Sequence, residues 1–329
     1  MVATTNVDVT GAAERPMPDV PMALLTSLPL RREHWAQIAR NATWQTTRMN
    51  LNTFQRHGVF EDAELVTLVA ARLADPAQIA RAKALPYQLM MAYTAAADAP
   101  APIQDALQTA MEIATRNVPE VAGKLWIFPD VSGSMHSPVT GYRAGSTTAV
   151  RCIDVAALIA ASLLRRNPSA RVVPFAEKVY ETRLNRRDSV MTNAKVLSSL
   201  PAGGTDCAAP LRWMNARKET GDMVIYVSDN ESWIGGQSFR MELGTQVMRE
   251  WAEFKRRSPG AKMVCIDLQP YATTQAVERP DILNVGGFSD AVFDLIASFA
   301  GGEESRNWAQ TIKGIELWPG YGAVSGNGV

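Results

Sequence analysis

The chain has 329 residues, 47% of them hydrophobic, which is enough material for one large domain or two modest ones. Lys plus Arg and Asp plus Glu each total 33, so no net basic excess indicates a nucleic-acid partner, although a basic patch can exist within a neutral total. The three cysteines are odd in number and lie in apolar segments, which favours buried, reduced thiols over a disulfide framework or a zinc site.

Residues 1–21 mix Thr, Pro, Gly and small residues without periodicity, which predicts a flexible arm. This arm lacks the apolar stretch of a secretory leader. No later run reaches the roughly 18 apolar residues that a membrane span needs. We therefore expect a soluble, cytoplasmic protein with no membrane partner.

Residues 22–120 carry a helical pattern without a usable strand signal. Asp75 before Pro76 is typical of an N-cap followed by proline in the first turn, and Gly58 is typical of a residue that ends a helix. We expect a short all-α region resembling helical repeats, with helices at 22–28, 31–41, 45–56, 61–74, 76–83, 86–97 and 102–117.

From residue 121 onward, short apolar runs alternate with longer helical segments. This alternation predicts an α/β domain over 121–302, with a Rossmann-like parallel sheet flanked by helices. The expected parallel strands are 124–130, 170–176, 222–229, 261–268 and 281–287, with an antiparallel edge strand at 178–184 and helices at 150–166, 206–218 and 290–300. The Gly-rich segment 303–329 is expected to be a poorly ordered tail.

Polar side chains cluster where these strands end. The set consists of Asp130, Ser132 and Ser134 after the first strand, Thr205 in the loop before a helix, and Asp229 at the end of the strand 222–229. Because ligands bind where loops converge at the carboxyl ends of parallel strands, we expect these side chains to lie close together. The alternative interpretation is ordinary capping of turns and helices, which also favours Ser and Asp.

All of these side chains are hard oxygen ligands, which favour Mg²⁺, with Mn²⁺ or Ca²⁺ as alternatives. Hydroxyls outnumber carboxylates, so a bound cation would keep positive charge and an open position. We therefore expect a protein partner to supply an acidic ligand to the metal.

The motifs DVSGS, GGTD and SDNES, in that order, resemble the metal-ion-dependent adhesion site of von Willebrand factor A-type domains. The resemblance implies that Ser132, Ser134 and Thr205 ligate the metal through their hydroxyls. It also implies that Asp130 and Asp229 act directly or through waters.

The flanking sequences PAGGTDCAAPLRWM, VSDNESWIGG and VGGFSDAVFDLIASF resemble the A-type domain of the Ro 60 kDa autoantigen-like family, which are ring-shaped RNA chaperones built on a TROVE module. The segments NATWQTTRMNLNTFQRHGVFED and ARLADPAQIARAKALPYQLMMAYTAA are similar to the closing helices of that module. The family's helical ring is longer than the helical stretch here, so the resemblance covers only its final portion and the A-type domain. It implies an RNA-binding ribonucleoprotein component or noncoding-RNA quality-control factor, with a small noncoding RNA as partner.

Residues 31–60 are the candidate RNA contact. They contain five arginines against one acidic residue, Glu33, and the aromatic residues Trp35, Trp44 and Phe54 lie between them. Arginines can contact phosphates and aromatic rings can stack on bases. The candidate residues are Arg31, Arg32, Arg40, Arg48 and Arg56. The alternative is that the aromatic residues form the core and the arginines a solvated face.

Motifs of common enzyme classes are missing. The sequence has no G-x-S-x-G elbow, no phosphate-binding P-loop, no H-E-x-x-H and no G-x-G-x-x-G after the first strand. We expect a binding protein and no enzymatic activity. The alternative to RNA binding is a protein–protein adaptor that uses a metal-dependent A-type domain.

Overall fold

The computed structural model describes residues 29–139, 150–229, 237–269, 276, 279–289 and 291–301, with the backbone alone for 237–245. Its first part is all-α, as the sequence predicts. The α-helices described before residue 121 are α1 (Arg32–Asn41), α2 (Trp44–Met49), α3 (Leu51–Arg56), α4 (Ala63–Leu73), α5 (Pro76–Arg81), α6 (Pro86–Ala95) and α7 (Ala101–Ala114).

Polar caps and a left-handed glycine set the helix boundaries of this part. The Asp75 side chain accepts hydrogen bonds from the backbone N–H groups of Ala77 and Gln78 at 2.8 and 3.2 Å, which confirms the predicted N-cap before Pro76. Gly58 has φ +69° just after α3, a conformation that glycine adopts without steric cost.

The single helix predicted over 45–56 is wrong, because the helix breaks at Asn50. The Asn50 side-chain amide donates to the Thr46 carbonyl oxygen at 2.8 Å, and its backbone φ and ψ of −116° and 13° lie outside the helical range. Asparagine competes in this way for the backbone groups that would continue a helix. Two short helices, α2 and α3, result.

The second part is an α/β fold, which confirms the predicted class. Its strands are β1 (Leu125–Pro129), β2 (Arg171–Val172), β3 (Met223–Ser228), β4 (Lys262–Asp267) and β5 (Ile282–Gly286). Its helices are α8 (Cys152–Arg166), α9 (Val190–Ser198), α10 (Ala209–Ala216), α11 (Gln237–Arg257) and α12 (Ala291–Ala300). All strand pairs are parallel, and the order across the sheet is β2-β1-β3-β4-β5.

Alternate residues of each strand face opposite sides of the sheet, and both sides are covered. Leu125 and Ile127 of β1 pack into a hydrophobic cluster with α8, α9, α12 and the helices of the first part. Trp126 and Phe128 pack on the other face against α10 and α11. Burial on both faces explains why the strands are almost wholly apolar.

The antiparallel edge strand predicted at 178–184 is wrong. A single antiparallel bridge joins Phe175 and Val179, and β2 itself has only two residues. Pro174 has no N–H to donate to a neighbouring strand, and its carbonyl oxygen accepts instead from Tyr180 in a tight reversal. The chain after residue 180 then runs as irregular structure.

The predicted arm at 1–21, helix at 22–28 and tail at 303–329 lie outside the described residues. The predicted domain boundary between 120 and 121 stays a prediction. Among the helices that the structure describes, none combines the length and the apolar character required to cross a bilayer.

Candidate functional site

Two loops meet beyond the carboxyl end of β1. The Gly133 N–H donates to the Gly203 carbonyl oxygen at 2.9 Å, which joins the loop after β1 to the loop that carries Thr205. Asp130 N–H donates to the Val227 carbonyl oxygen of β3 at 2.9 Å, two residues before Asp229. The sheet therefore brings the first two predicted motifs and the described start of the third, Ser228 and Asp229, to one edge.

Asp130 is the centre of this arrangement and has no exposed surface. One carboxylate oxygen accepts the backbone N–H of Ser132 at 2.8 Å, and the other accepts the Ser228 hydroxyl at 2.7 Å. Burial raises the pKa of Asp130 to about 7, and the nearby charge of Asp229 adds to this rise, while the hydrogen bonds from Ser132 and Ser228 oppose it.

The Ser132 and Ser134 hydroxyls lie beside Asp130, and Thr205 lies two residues past Gly203, whose carbonyl oxygen accepts from Gly133 of the same loop. Ser132 and Thr205 are each 1% exposed and Ser134 is half-buried. The Ser132 and Ser134 hydroxyl oxygens lie 3.3 Å apart. Buried carboxylates that repel each other, beside several hydroxyl oxygens, are chemically suited to a hard divalent cation.

The donor set does not suit zinc. Within the part of the chain that the structure describes, no three or more His, Cys, Asp or Glu side chains form a metal-binding group. The candidate site instead combines two carboxylates with hydroxyls. If it holds a cation, Asp130, Ser132, Ser134, Thr205 and Asp229 would be the ligands or would hold its waters.

Further residues that the sequence interpretation missed hold the loop after β1 in place. The Gln269 side-chain amide, just beyond β4, donates to the Ser137 hydroxyl at 3.2 Å and to the Pro138 carbonyl oxygen at 2.7 Å. Arg151 contacts the His136 ring at 3.0 Å. Spacing alone gives no signal for these long-range contacts, since 132 positions separate Gln269 from Ser137.

Ser228 was also missed as a functional residue, although it belongs to the SDNES motif. It is fully buried and ends β3 with its hydroxyl on Asp130. A polar residue closing an otherwise apolar strand was the signal that could have identified it.

The three cysteines are buried and form no disulfide, as the sequence predicts. Burial raises the pKa of Cys152 to about 11 and that of Cys265 to about 12, and it raises the pKa of Cys207 well above its ordinary value. Since the thiolate is the reactive form, these side chains behave as apolar core groups.

Two of the five arginines predicted to contact RNA are paired with acidic residues just beyond the window 31–60. Arg32 forms an ion pair with Glu61 at 2.6 Å, and Arg40 lies 3.5 Å from Asp62. The local positive charge of this region is therefore lower than the count within the window indicates.

The other three arginines differ in exposure. Arg48 is half-buried, and its guanidinium donates to the Gln88 carbonyl oxygen at 3.1 Å. Arg31 and Arg56 are exposed, and Arg56 donates to the Thr53 hydroxyl at 3.4 Å. An RNA-binding role for all five arginines stays a prediction.

The interleaved aromatic residues form the core, which is the alternative that the sequence leaves open beside base stacking. Trp35, Trp44 and Phe54 are 5%, 4% and 0% exposed. The Trp44 ring N–H donates to the Leu73 carbonyl oxygen at 3.1 Å, inside the helical part. These rings build the core, because helical spacing turns all three toward the neighbouring helices.

Known proteins resemble the α/β part and much of the remaining chain. The Ro60 vWA domain family matches residues 124–300, which is more than half of the chain. The RNA-binding protein RO60 of Deinococcus radiodurans is 28% identical over 267 residues, covering 77% of this chain and 48% of that protein. The RNA-binding protein RO60 of Caenorhabditis elegans is 24% identical over 255 residues, covering 74% of this chain and 38% of that protein.

A solved structure resembles the fold as well. The crystal structure of the Deinococcus radiodurans RO (RSR) protein has a TM-score of 0.65 and 26% sequence identity, and the match covers 85% of this chain and 59% of that chain. This chain therefore spans about half or less of the length of the curated relatives that it matches. The match of sequence over β1 to α12, together with the parallel sheet, establishes that this chain belongs to the Ro60 vWA domain family.

Proposed function

We propose that this protein binds RNA as a ribonucleoprotein component or noncoding-RNA quality-control factor, with a small noncoding RNA as partner. The observation that carries the proposal is the similarity, over about three quarters of the chain, to two proteins named RNA-binding protein RO60. This similarity extends beyond the α/β part, since 267 aligned residues exceed the 124–300 region. The three buried, unpaired thiols agree with a reducing compartment such as the cytoplasm.

We further propose that the A-type domain binds a divalent cation, Mg²⁺ first and Mn²⁺ or Ca²⁺ as alternatives. The support is the buried group of Asp130, Ser132 and Asp229, together with the Gly133–Gly203 bond that joins the loop carrying the buried Thr205. Such a site, with neutral hydroxyls as donors, would leave the cation able to accept a carboxylate from a partner protein.

A protein–protein adaptor without RNA affinity is the second candidate. The pairing of Arg32 and Arg40 with Glu61 and Asp62 favours it, because it lowers the charge that the helical part presents to phosphates. In this alternative the helical part is only a structural support for the A-type domain.

The deciding experiment measures binding of the full chain to structured RNAs with single-stranded 3′ ends, across salt, with Mg²⁺ or EDTA. RNA binding predicts an affinity that falls steeply with salt and survives chelation. The adaptor alternative predicts no RNA binding under any of these conditions, and this outcome would reject the first proposal.

A further inference from the structure

A groove lies beside β2, the strand at one edge of the sheet, and Trp126 of β1 is among its lining residues. Its volume is about 660 Å³, and its walls are residues 170–173 and 181–184, with Leu164 and Trp213 at its sides. β2 is the terminal strand of the sheet, so no further strand covers this edge within the described residues. We call this feature the β2-edge groove.

The acidic side chains of the β2-edge groove already have basic partners. Glu181 forms an ion pair with Arg217 at 2.5 Å, and Glu219 forms one with Lys124 at 2.8 Å. Both carboxylates of the groove are therefore already paired and do not neutralise its other arginines.

Two exposed arginines of the groove, Arg171 and Arg183, have no ion pair with any residue that the structure describes. The Arg171 guanidinium lies 5.5 Å from the ring centre of Trp126, which is itself fully buried. This contact holds one guanidinium beside the groove without neutralising it.

The positive surface continues past the end of the groove. Arg186 and Arg187 are exposed and likewise form no ion pair among the described residues. The Arg165 side chain donates to the Arg186 carbonyl oxygen at 3.0 Å, which ties this turn to the end of α8. Residues 165–188 contain seven basic side chains against three acidic ones, and two of the basic ones, Arg165 and Arg166, pair with Glu112 and Glu120 outside this segment.

The backbone at this edge is poorly suited to binding a protein strand. Strand addition depends on a row of main-chain hydrogen bonds, but β2 has only two residues and Pro174 has no N–H to donate. An RNA backbone does not need main-chain hydrogen bonds of this kind, because its affinity comes largely from Lys and Arg side chains that contact its phosphates.

We propose that Arg171, Arg183, Arg186 and Arg187 form an RNA-backbone contact surface on the A-type domain. This inference rests on the proposed RNA binding and names the part of the chain that contacts the phosphates. The exposed arginines of this surface are free of carboxylate partners in the described structure, unlike Arg32 and Arg40 of the helical part. The groove beside this surface shares no lining residue with the buried cluster around Asp130.

The test replaces all four arginines by glutamine and measures affinity for a fluorescein-labelled RNA hairpin with a single-stranded 3′ tail at several salt concentrations. We expect a loss of at least about tenfold at physiological salt, and a decrease of about 3 in the slope of log affinity against log salt, at roughly 0.7–0.9 for each lost phosphate contact. Replacement of the same four residues by lysine should preserve the slope, since lysine keeps the charge.

The matched control replaces Arg31, Arg32, Arg40 and Arg56 by glutamine, which removes the same charge from the helical part. Because these four arginines are themselves candidate RNA contacts, the two variants are compared by size of effect, and we expect this one to lose clearly less affinity than the β2-edge variant. Thermal unfolding of both variants checks that neither loses its fold.

Each other outcome has a definite meaning. If the unaltered chain binds the hairpin and only the helical-part variant loses affinity, the β2-edge surface is rejected while the proposed function stands. If the unaltered chain binds no RNA, the proposed function itself fails. If polyglutamate of equal charge displaces the RNA with equal affinity, the surface belongs to acidic protein segments and the inference is overturned.

Discussion

The helical part and the α/β part of this protein both bury aromatic residues in their cores but differ in the surroundings of their charged residues. In the helical part, Trp35 and Phe54 are buried, and Arg32 and Arg40 face acidic partners. In the α/β part, polar groups such as Asp130 are buried at the strand ends, and arginines at the β2 edge lack such partners within the described structure. A count of charges over a short segment does not show whether an arginine is free to bind a ligand. That depends on acidic residues outside the segment, such as Glu61 and Asp62 for Arg32 and Arg40.

The largest expected effect tests the statement that the helical aromatic residues are core residues. Phe54→Ala should lower the free energy of unfolding by about 3–5 kcal/mol, because it leaves a cavity at a fully buried position next to Phe60. Urea unfolding measures this loss, and Phe54→Leu, which retains most of the volume, should cost clearly less. Unchanged stability together with weaker RNA binding would instead identify Phe54 as a base-stacking residue.

The next effect concerns the strand-end cluster. Asp130→Ala should weaken Mg²⁺ binding by about 100-fold or more, because it removes the central carboxylate, and should leave RNA affinity unchanged. Isothermal titration calorimetry measures the cation affinity. Asp206→Ala is the matched control, since Asp206 lies beside Thr205 but accepts the Ala208 N–H at 3.0 Å. Undiminished Mg²⁺ affinity in Asp130→Ala would reject the site.

A smaller effect is expected from the hydroxyl that supports Asp130. Ser228→Ala removes a donor from a buried carboxylate and should lower the free energy of unfolding by about 1–3 kcal/mol. Ser162→Ala provides the comparison, because the Ser162 hydroxyl is buried without a hydrogen-bond partner in the described structure. That substitution should be close to neutral in the same chemical denaturation assay. Equal losses in the two variants would mean that the Ser228–Asp130 bond contributes nothing specific.

The smallest effect tests the exposed ion pair of the helical part. Glu61→Gln should change the free energy of unfolding by less than about 1 kcal/mol, since both partners are largely exposed. The substitution also frees Arg32 from its ion pair. RNA affinity should therefore rise if the helical part contacts the phosphates, and should stay unchanged if the β2-edge surface contacts them. Fluorescence anisotropy of the same RNA hairpin distinguishes the two results.

The sequence predicted the parallel sheet well because each strand is a short apolar run buried on both faces, and such runs are visible without a structure. It predicted the meeting of the three motifs for the same reason, since parallel strands end at one edge. The sequence could not predict the irregular structure at 178–184. The alternating pattern there favours a strand, but the chain reverses direction at Pro174 and the Phe175–Val179 bridge.

The unforeseen acidic partners of the arginines and the omission of Gln269 have a common physical origin. Glu61 lies 29 positions from Arg32, and Gln269 lies 132 positions from Ser137, yet both contacts are direct. Such contacts depend on how helices and strands pack, which local periodicity does not encode. Asp130 is an intermediate case, because its position at the end of a strand was sufficient to predict its closeness to Ser132 and Asp229 but not its hydrogen bond from Ser228.

Helix α8 has a consequence for how the protein unfolds. Only Asp154, Arg165 and Arg166 of this helix are not buried, and its apolar surface faces both the sheet and the preceding helices. Because α8 packs against both the sheet and the preceding helices, unfolding of either part would expose the apolar surface of the other. The two parts should therefore unfold together. Its central amide hydrogens should therefore exchange with deuterium only through cooperative, global opening, at the same free energy from residue to residue along the helix.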